Sequence, residues 1–213
     1  MTVRSILTVE AAATSYDLTT LEVIKDELRI TTGASDDWLK RQIRNASKAC
    51  ANYCNRVFQS ESVSETLYIE RDAFPYQVPG NVIALQLARY PIVSVSSVTV
   101  NSDALDPATD FKINSEVGQV YRLNSDAMPM IWEAWPIVVE YVGGYAEVPA
   151  DVEEATIRLV KKAWYARGRD PLVKVDEVAG VGRQEYWVST GSEGNMTPDI
   201  ADLLDNYRAP VTA

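Results

Sequence analysis

Residues 137–167 read IVVEYVGGYAEVPADVEEATIRLVKKAWYAR, and the spacing of the apolar residues changes in the middle of this stretch. β-Branched and aromatic residues crowd its first part and end at two glycines, which predicts a strand over residues 137–142 followed by a turn. Pro149 then stands where a helix tolerates a missing N–H, and acidic residues fill the first turn of a helix predicted over residues 150–167. The chain therefore combines sheet and helix.

The helix predicted over residues 150–167 is apolar on more than one side. Its apolar residues cover an arc of ~200° on a helical wheel, about twice the arc of one packed face. Such a helix must be covered on two sides. The N-terminal helices can supply one cover, and the other is either the β-domain or a neighbouring subunit. Three residues are the candidates for a contact between subunits: Ile157, Val160 and Trp164.

Two helices are predicted before the strands. Thr19 and Glu22 have the spacing of a capping box for a helix over residues 20–30, and Ser35 is a natural N-cap for a helix over residues 36–56. The apolar residues of the second helix form a one-sided stripe of ~100°. Basic residues lie opposite this stripe, at Arg41, Arg44 and Lys48.

The two cysteines, Cys50 and Cys54, are one helical turn apart. Neighbouring Cβ atoms at this spacing lie ~5–6 Å apart, which is beyond the ~3.5–4.5 Å of a disulfide. Two thiols also leave a zinc site incomplete. Because both residues fall within or beside the apolar stripe, we expect buried free cysteines, which fit a protein made in a cytoplasm.

Short strands are predicted between residues 62 and 145. They cover residues 63–70, 81–87, 93–101, 110–113, 118–123 and 137–142, with turn signals between them. Short strands at this density favour a small antiparallel sandwich or barrel. The apolar alternation shifts at Ser96 and Ser97, which predicts a bulge.

The sequence changes character after Gly168. Residues 170–213 contain eight acidic and three basic residues, a net charge of −5, and a short helix is predicted over residues 198–207. One interpretation is an arm that docks onto a partner, and the other is a segment that packs back onto its own domain. The candidate contact residues of the arm are Tyr186, Trp187, Ile200, Leu203, Leu204 and Tyr207.

These elements predict an α+β fold. We expect a small bundle of three main helices, an inserted antiparallel β-sandwich or barrel, and a C-terminal arm. The predicted segments are an N-terminal helical part (1–58), the inserted β-domain (59–147), the third helix that completes the bundle (148–169) and the extended arm with its short terminal helix (170–213).

Composition argues against an enzyme. The chain has no histidine, which removes Ser-His-Asp and Cys-His catalysis and the commonest metal ligand. Asp103, Asp106 and Asp110 cluster in a loop without the spacing of an EF-hand, so a solvated turn is expected there. No phosphate-binding loop or nucleotide fingerprint is found. We therefore expect no catalytic residues, no metal and no cofactor. A carboxylate-based hydrolase is the enzymatic alternative that the acidic residues leave open.

Charge and hydropathy also limit the partners. With 30 acidic and 20 basic residues the net charge is −10, which disfavours sequence-specific binding of nucleic acid but not a wall past which DNA slides. No apolar run is long enough to span a membrane, and residues 1–20 lack the apolar core of a signal peptide. Neither feature is therefore expected.

Trp132 and Trp135 precede the last predicted strand and allow a second kind of function. An exposed aromatic pair would suit a β-domain that binds carbohydrate or protein. The other interpretation is that both rings pack between the β-domain and the helices. Trp187 lies in the predicted arm and is a candidate anchor for a partner pocket, since aromatic residues dominate such contacts.

Three groups of residues, in this order and spacing, resemble the head–tail connector (adaptor) family of tailed bacteriophages and gene transfer agents, in its longer branch with an inserted β-domain. The resemblance covers about residues 18–168. The first group is Leu21, Lys25, Leu28, Arg29, Ile30, Asp36, Asp37, Leu39, Ile43, Ala46, Tyr53 and Arg56. The second is RYPIVSV at residues 89–95 with Ser97 and Val98, and the third is VEYVGGY at residues 139–145 with Val148, Pro149, Ala155, Leu159, Trp164, Tyr165 and Arg167.

The resemblance implies a structural protein of the virion, made in the host bacterial cytoplasm. It implies a homo-oligomeric ring, typically dodecameric, that lies under the portal protein of a filled head. The C-terminal region would bind the portal, the opposite face would receive a stopper or tail protein, and the lumen would pass double-stranded DNA. No catalytic residue, cofactor or membrane contact comes with the family. The alternative is a carbohydrate- or protein-binding β-domain module of a tail or baseplate protein, with Trp132 and Trp135 as its binding residues.

Overall fold

The computed structural model describes residues 2–70, 82–168, 175–178, 182–185 and 196–209. The chain divides into two compact units, a β unit of Met1–Ser15 with Val57–Glu147 and a helical unit of Tyr16–Arg56 with Val148–Ala213. In chain order the elements are β1 (Thr2–Ala11), α1 (Leu21–Leu28), α2 (Asp36–Cys54), β2 (Glu61–Glu70), β3 (Ala84–Gln86), β4 (Ile92–Val100), β5 (Asp103–Ala104), β6 (Phe111–Asn114), β7 (Gln119–Leu123), β8 (Pro129–Met130), β9 (Ile137–Gly143), α3 (Ala150–Tyr165), β10 (Val175–Val178), β11 (Gly182–Glu185), α4 (Pro198–Leu204) and a short 3-10 helix (Asp205–Tyr207).

A five-stranded antiparallel sheet is the larger part of the β unit, in the order β1-β2-β9-β4-β5. Its strands alternate as half-buried strands do. In β2, for example, Val63 and Leu67 are buried and lie opposite Tyr141 and Ile137 of β9. The register between β4 and β9 shifts between Val95 and Ser97, so the predicted bulge is confirmed, and a second shift lies nearer the start of β4.

A second antiparallel sheet has the order β3-β7-β6, with β8 paired to β7. Buried residues of both sheets belong to one hydrophobic cluster, for instance Val63 and Val139 from the first sheet and Leu85 and Val120 from the second. The α+β class with antiparallel sheets is thus confirmed, while the three-helix bundle and the sandwich or barrel arrangement stay predictions.

A buried polar cluster ties the loop after β3 to the sheet. The Glu65 carboxylate accepts hydrogen bonds from the backbone N–H of Ala88 at 2.9 Å and from the hydroxyl of Tyr141 at 2.7 Å. The same hydroxyl accepts from the backbone N–H of Arg89 at 3.0 Å, and the Arg89 guanidinium donates to Glu61 at 2.9 Å. Burial, followed by the neighbouring Glu65 carboxyl, raises the pKa of Tyr141. The cluster therefore holds the loop by neutral and charged hydrogen bonds inside the β unit.

Two glycines end β9 because side chains would not fit there. A Cβ at Gly143 would lie 2.5 Å from the backbone oxygen of Arg89, and a Cβ at Gly144, which has φ +118°, would overlap the backbone of Gln59. Only glycine adopts such a φ without strain. The glycine pair predicted to end the last strand therefore has a steric reason.

The helical unit has its own core. Of the predicted stripe of α2, Leu39, Ile43, Ala46 and Cys50 are buried, whereas Tyr53 and Val57 are partly exposed, and Cys54 beside the stripe is buried. The first helix begins one residue later than predicted, because Thr20, with φ −103° and ψ 161°, is its N-cap and accepts from the Val23 N–H. The expected capping role of Thr19 is wrong, since its hydroxyl instead donates to Glu153 of α3 at 3.0 Å. No described helix is long and apolar enough to cross a bilayer.

The first fifteen residues depart from the prediction that residues 1–58 form a helical part. They group with the β unit, and Thr2–Ala11 is an edge strand paired with β2 over nearly its whole length. The backbone of an edge strand is satisfied on one side by its neighbour, and Val3 and Leu7 pack partly against the hydrophobic cluster. The N-terminal segment is therefore divided: residues 1–15 belong to the β unit and residues 16–56 to the helical unit.

Candidate assembly surfaces

The C-terminal helix α4 packs against the chain's own helices α2 and α3. Ile200 is 2% exposed and Leu204 is fully buried, and Met196 just before the helix is buried as well. Pro198 at the first turn suits the start of this helix. For residues 196–209, the structure therefore has the segment packed back onto its own domain.

Polar contacts fix the end of this segment to α2. The hydroxyl of Tyr53 donates to Asp205 at 2.7 Å, and the backbone N–H of Ala209 donates to the carbonyl of Cys54 at 2.8 Å. The Arg56 guanidinium donates to the carbonyl of Tyr207 at 3.3 Å. The hydrogen bond to Asp205 and partial burial raise the pKa of Tyr53. These contacts make residues 205–209 part of the folded helical unit.

The predicted arm residues therefore separate into three groups. Ile200 and Leu204 belong to the core of the helical unit, so they are not available to a partner in this conformation. Leu203 and Tyr207 are partly exposed on the same segment. Tyr186 and Trp187 lie outside the described residues.

The second apolar side of α3 also has a cover within the chain. Helix α3 packs against α2 and, less extensively, α1, and also against α4. Ile157 is 7% exposed and Val160 is 1% exposed, so this structure places both in the unit's own core, whereas Trp164 remains partly exposed. The structure agrees with the prediction that this helix is covered on two sides. Sequence analysis named the β-domain or a neighbouring subunit as the second cover, whereas the structure has α4 there.

An aromatic and cationic cluster lies where the end of α3 meets the start of α2. The rings of Trp38 and Trp164 meet edge to face at 5.7 Å, and the Arg167 guanidinium lies 5.0 Å and 5.3 Å from the two ring centroids. Arg167 also donates to the hydroxyl of Ser35 at 3.1 Å. The neighbouring Tyr165 is 74% exposed. Tryptophan, tyrosine and arginine are the residues enriched in binding hot spots, and the cluster with the adjacent Tyr165 contains all three.

The tryptophan pair before β9 is not an exposed platform. Trp132 is 2% exposed, and its indole N–H donates to the carbonyl of Ile83 at 3.2 Å. Trp135 is partly buried against the same hydrophobic cluster of the β unit. The carbohydrate-binding interpretation of this pair is therefore wrong, because the ring that would stack on a sugar is inside the core.

The acidic loop is a self-contained turn. Asp110 accepts from the backbone N–H of Asp106 at 2.9 Å and from the hydroxyl of Thr109, while Asp106 accepts from the N–H of Ala108. The hydrogen bond from the Asp106 backbone is the main reason that the pKa of Asp110 is lowered. Within the described ranges, no group of three or more potential metal ligands comes together.

The two cysteines are free and buried, as predicted. The thiol of Cys50 is 3.6 Å from the hydroxyl of Thr156, and that of Cys54 is 3.6 Å from the carbonyl of Leu204. Burial raises the pKa of Cys50, and burial followed by the proximity of Cys50 raises the pKa of Cys54 to about 12. Thiols with raised pKa values react slowly, so this pair has a packing role.

Comparison with known proteins adds a family. A family model described as head completion protein (HCP) matches residues 17–209. A chain in the neck of an empty GTA particle computed with C6 symmetry is 17% identical with a TM-score of 0.56, and the match covers 98% of this chain and 97% of that one. A chain in the virion of a native gene transfer agent particle is 15% identical with a TM-score of 0.53 and the same coverage. At these identities the solved structures share the fold. No curated protein matches.

Proposed function

Since the chain belongs to the head completion protein family, we propose that it is a structural adaptor at the head–tail junction of a tailed phage or a gene transfer agent. In this role it joins the portal protein of a DNA-filled head to a stopper or tail protein, without catalysis or a cofactor. The protein would be made in the host cytoplasm and would function in the virion.

The family match carries this proposal, because it spans residues 17–209 and so includes elements of both units. The shared fold supports it, since the likeness to a chain in the neck of a gene transfer agent particle covers 98% of this chain. The cysteines are free and buried, and the carboxylates of the aspartate loop accept hydrogen bonds from within the loop. Both observations agree with a protein that has no active site.

We propose further that the chain forms a ring, typically of twelve copies, whose lumen passes double-stranded DNA. A ring needs two different faces on each subunit that bind each other. The cluster of Trp38, Trp164 and Arg167 is the best candidate for one of them, because it retains aromatic and cationic surface at the end of α3. Ile157 and Val160 are buried within the helical unit, so of the three residues predicted for a subunit contact we keep Trp164 in this proposal.

We propose that the C-terminal segment contacts the portal protein through Tyr186, Trp187 and the partly exposed Leu203 and Tyr207. Removing everything after Gly168 cannot test this contact, because the truncation would also strip α4 from its own core. The substitution pair Tyr186→Ala and Trp187→Ala leaves α4 in place. We expect it to abolish binding to purified portal protein, and unchanged binding would remove these residues from the contact.

The junction role is tested by making particles without this protein. We expect DNA-filled heads and free tails to accumulate separately in electron micrographs, and expression of the wild-type chain in trans to restore joined particles. The protein should also co-purify with joined particles. Its absence from purified particles, or normal joining without it, would refute the proposed function.

A further inference from the structure

The solvent side of α2 carries a row of basic side chains. Lys40, Arg41, Arg44 and Lys48 are all exposed. At 3.6 residues per turn they fall within an arc of ~100° and extend along ~12 Å of the helix. This row is called the basic face of α2 below, and it lies opposite the buried stripe of the same helix.

The basic face stands out against the charge of the chain. Residues 38–60 contain five basic residues and no acidic one, although the chain as a whole has a net charge of −10. None of its four cations forms an ion pair with a described residue, whereas Lys25, Arg158 and Lys161 do so with Asp36, Glu154 and Glu27. The basic face is therefore not neutralised by ion pairs with described residues. The exposed Asp37, in the first turn of α2, is the one acidic residue on the same side of the helix, which leaves the face with an excess of positive charge.

The composition of the face indicates what kind of partner it fits. Protein interfaces centre on aromatic or apolar anchors, and none of the exposed large hydrophobic residues in the described chain lies on α2. The other exposed side chain between Arg44 and Lys48 is an amide, Asn45. Arginine, lysine and asparagine donate to phosphate oxygens without reading the bases. A polyanion of regular spacing therefore fits this face better than an acidic protein surface.

We propose that the basic face of α2 lines the lumen of the ring and contacts the phosphates of the passing duplex, an assignment that rests on the proposed function. Such a contact is electrostatic and independent of sequence. A few cations on each otherwise acidic subunit guide the duplex, and the surrounding negative charge limits how tightly it is held. The helix is thereby oriented towards the ring axis.

The test uses a photo-reactive amino acid in the full-length chain. One variant carries it in place of Arg44, and a matched control carries it in place of Lys112, which is also basic and exposed but lies on β6 of the β unit. Both chains are incorporated into DNA-filled particles and irradiated, and adducts with the particle's own DNA are counted. We expect adducts from position 44 at least tenfold more often than from position 112.

Three outcomes would overturn the assignment. Equal or absent DNA adducts at position 44 would mean that α2 does not face the duplex. Cross-links from position 44 to another protein would make the basic face a protein contact. Exclusion of only the position-44 chain from particles would also indicate a protein contact. If neither variant nor the wild-type chain enters particles, the proposed junction role fails instead.

Discussion

Tyr141 is the residue on which the buried polar cluster of the β unit depends. Its hydroxyl both donates to Glu65 and accepts from the backbone of Arg89, so one oxygen serves two partners. The other carboxylate oxygen of Glu65 has no hydrogen-bond partner among the described residues. Since burying an unpaired polar group costs free energy, the cluster is already incompletely satisfied and should tolerate further loss poorly.

We predict that Tyr141→Phe lowers the free energy of unfolding by about 1–3 kcal/mol, because it leaves the Arg89 N–H without its acceptor and Glu65 with one donor fewer. The matched control is Tyr121→Phe, whose hydroxyl donates to Gln119 at 2.6 Å in a partly exposed position. That change should cost less than about 1 kcal/mol, since water can replace the lost bond. Urea unfolding of both variants measures the difference, and equal losses would contradict this account.

Some residues could be assigned from sequence and others could not. The burial of Cys50 and Cys54 followed from their place on a one-sided apolar stripe, which is a local property. The choice between Thr19 and Thr20 as N-cap did not, because it depends on backbone angles and on Glu153, 134 residues away, which takes the Thr19 hydroxyl. The Glu65 cluster was missed for the same reason, since its partners come from three separate segments.

The elements of the chain were predicted best where a whole face is buried. The strands near residues 63–70, 93–101 and 137–142 lie within two residues of the observed β2, β4 and β9. Strand β1 was missed because it lies at a sheet edge and buries little: Ile6 is 61% and Val9 is 41% exposed, which blurs the alternation. Burial drives the pattern that sequence reading detects, so a weakly buried strand gives a weak signal.

Helix α3 shows how a correct pattern can lead to more than one structure. Its wide apolar arc requires two covers, and sequence alone could not say whether the second was the β-domain or a neighbouring subunit. The C-terminal segment supplies it, at a separation in sequence that periodicity cannot bridge. The apolar residues of α4 were read as an arm for a partner because an amphipathic helix looks the same whichever surface it covers.

Two adjacent leucines of α4 separate its packing role from its binding role. Leu204 is fully buried, so Leu204→Ala should lower the free energy of unfolding by about 2–5 kcal/mol and expose the nearby thiol of Cys54 to reagents. Leu203 is partly exposed, and Leu203→Ala should stay within about 1 kcal/mol of the wild type. If Leu203 contacts the portal as proposed, its substitution should weaken portal binding nonetheless. Thiol labelling, urea unfolding and a portal binding assay check the pair, and similar destabilisation by both would refute the division.

At the scale of the molecule, the two units differ in what they offer an assembly. In the β unit, the indole N–H of Trp132 and the carboxylate of Asp110 both have hydrogen-bond partners within the unit. The helical unit exposes the basic face of α2 and the aromatic end of α3. The β unit exposes scattered apolar side chains, among them Ile6, Val93 and Met128. The family resemblance indicates the kind of assembly from sequence, but the faces proposed for it depend on internal contacts that only the structure shows.

Tyr165 provides the sharpest test of an assembly face, because its removal should not disturb the fold. Its side chain is 74% exposed at the end of α3, next to the cluster of Trp38, Trp164 and Arg167. We predict that Tyr165→Ser leaves the free energy of unfolding within about 0.5 kcal/mol of the wild type, yet reduces the amount of protein found in purified particles severalfold, since an exposed aromatic beside an aromatic and cationic cluster is a typical hot spot.

The matched control for Tyr165→Ser is Met128→Ser, which removes another large apolar side chain, 61% exposed, from a turn of the β unit. Both changes reduce exposed apolar surface and neither alters charge, so a general effect on solubility or expression would appear in both. Thermal unfolding and quantitative blotting of particles give the two readouts. Full incorporation of the Tyr165→Ser chain would show that the end of α3 faces solvent in the particle, and the subunit contact would then have to be sought on another surface of the helical unit.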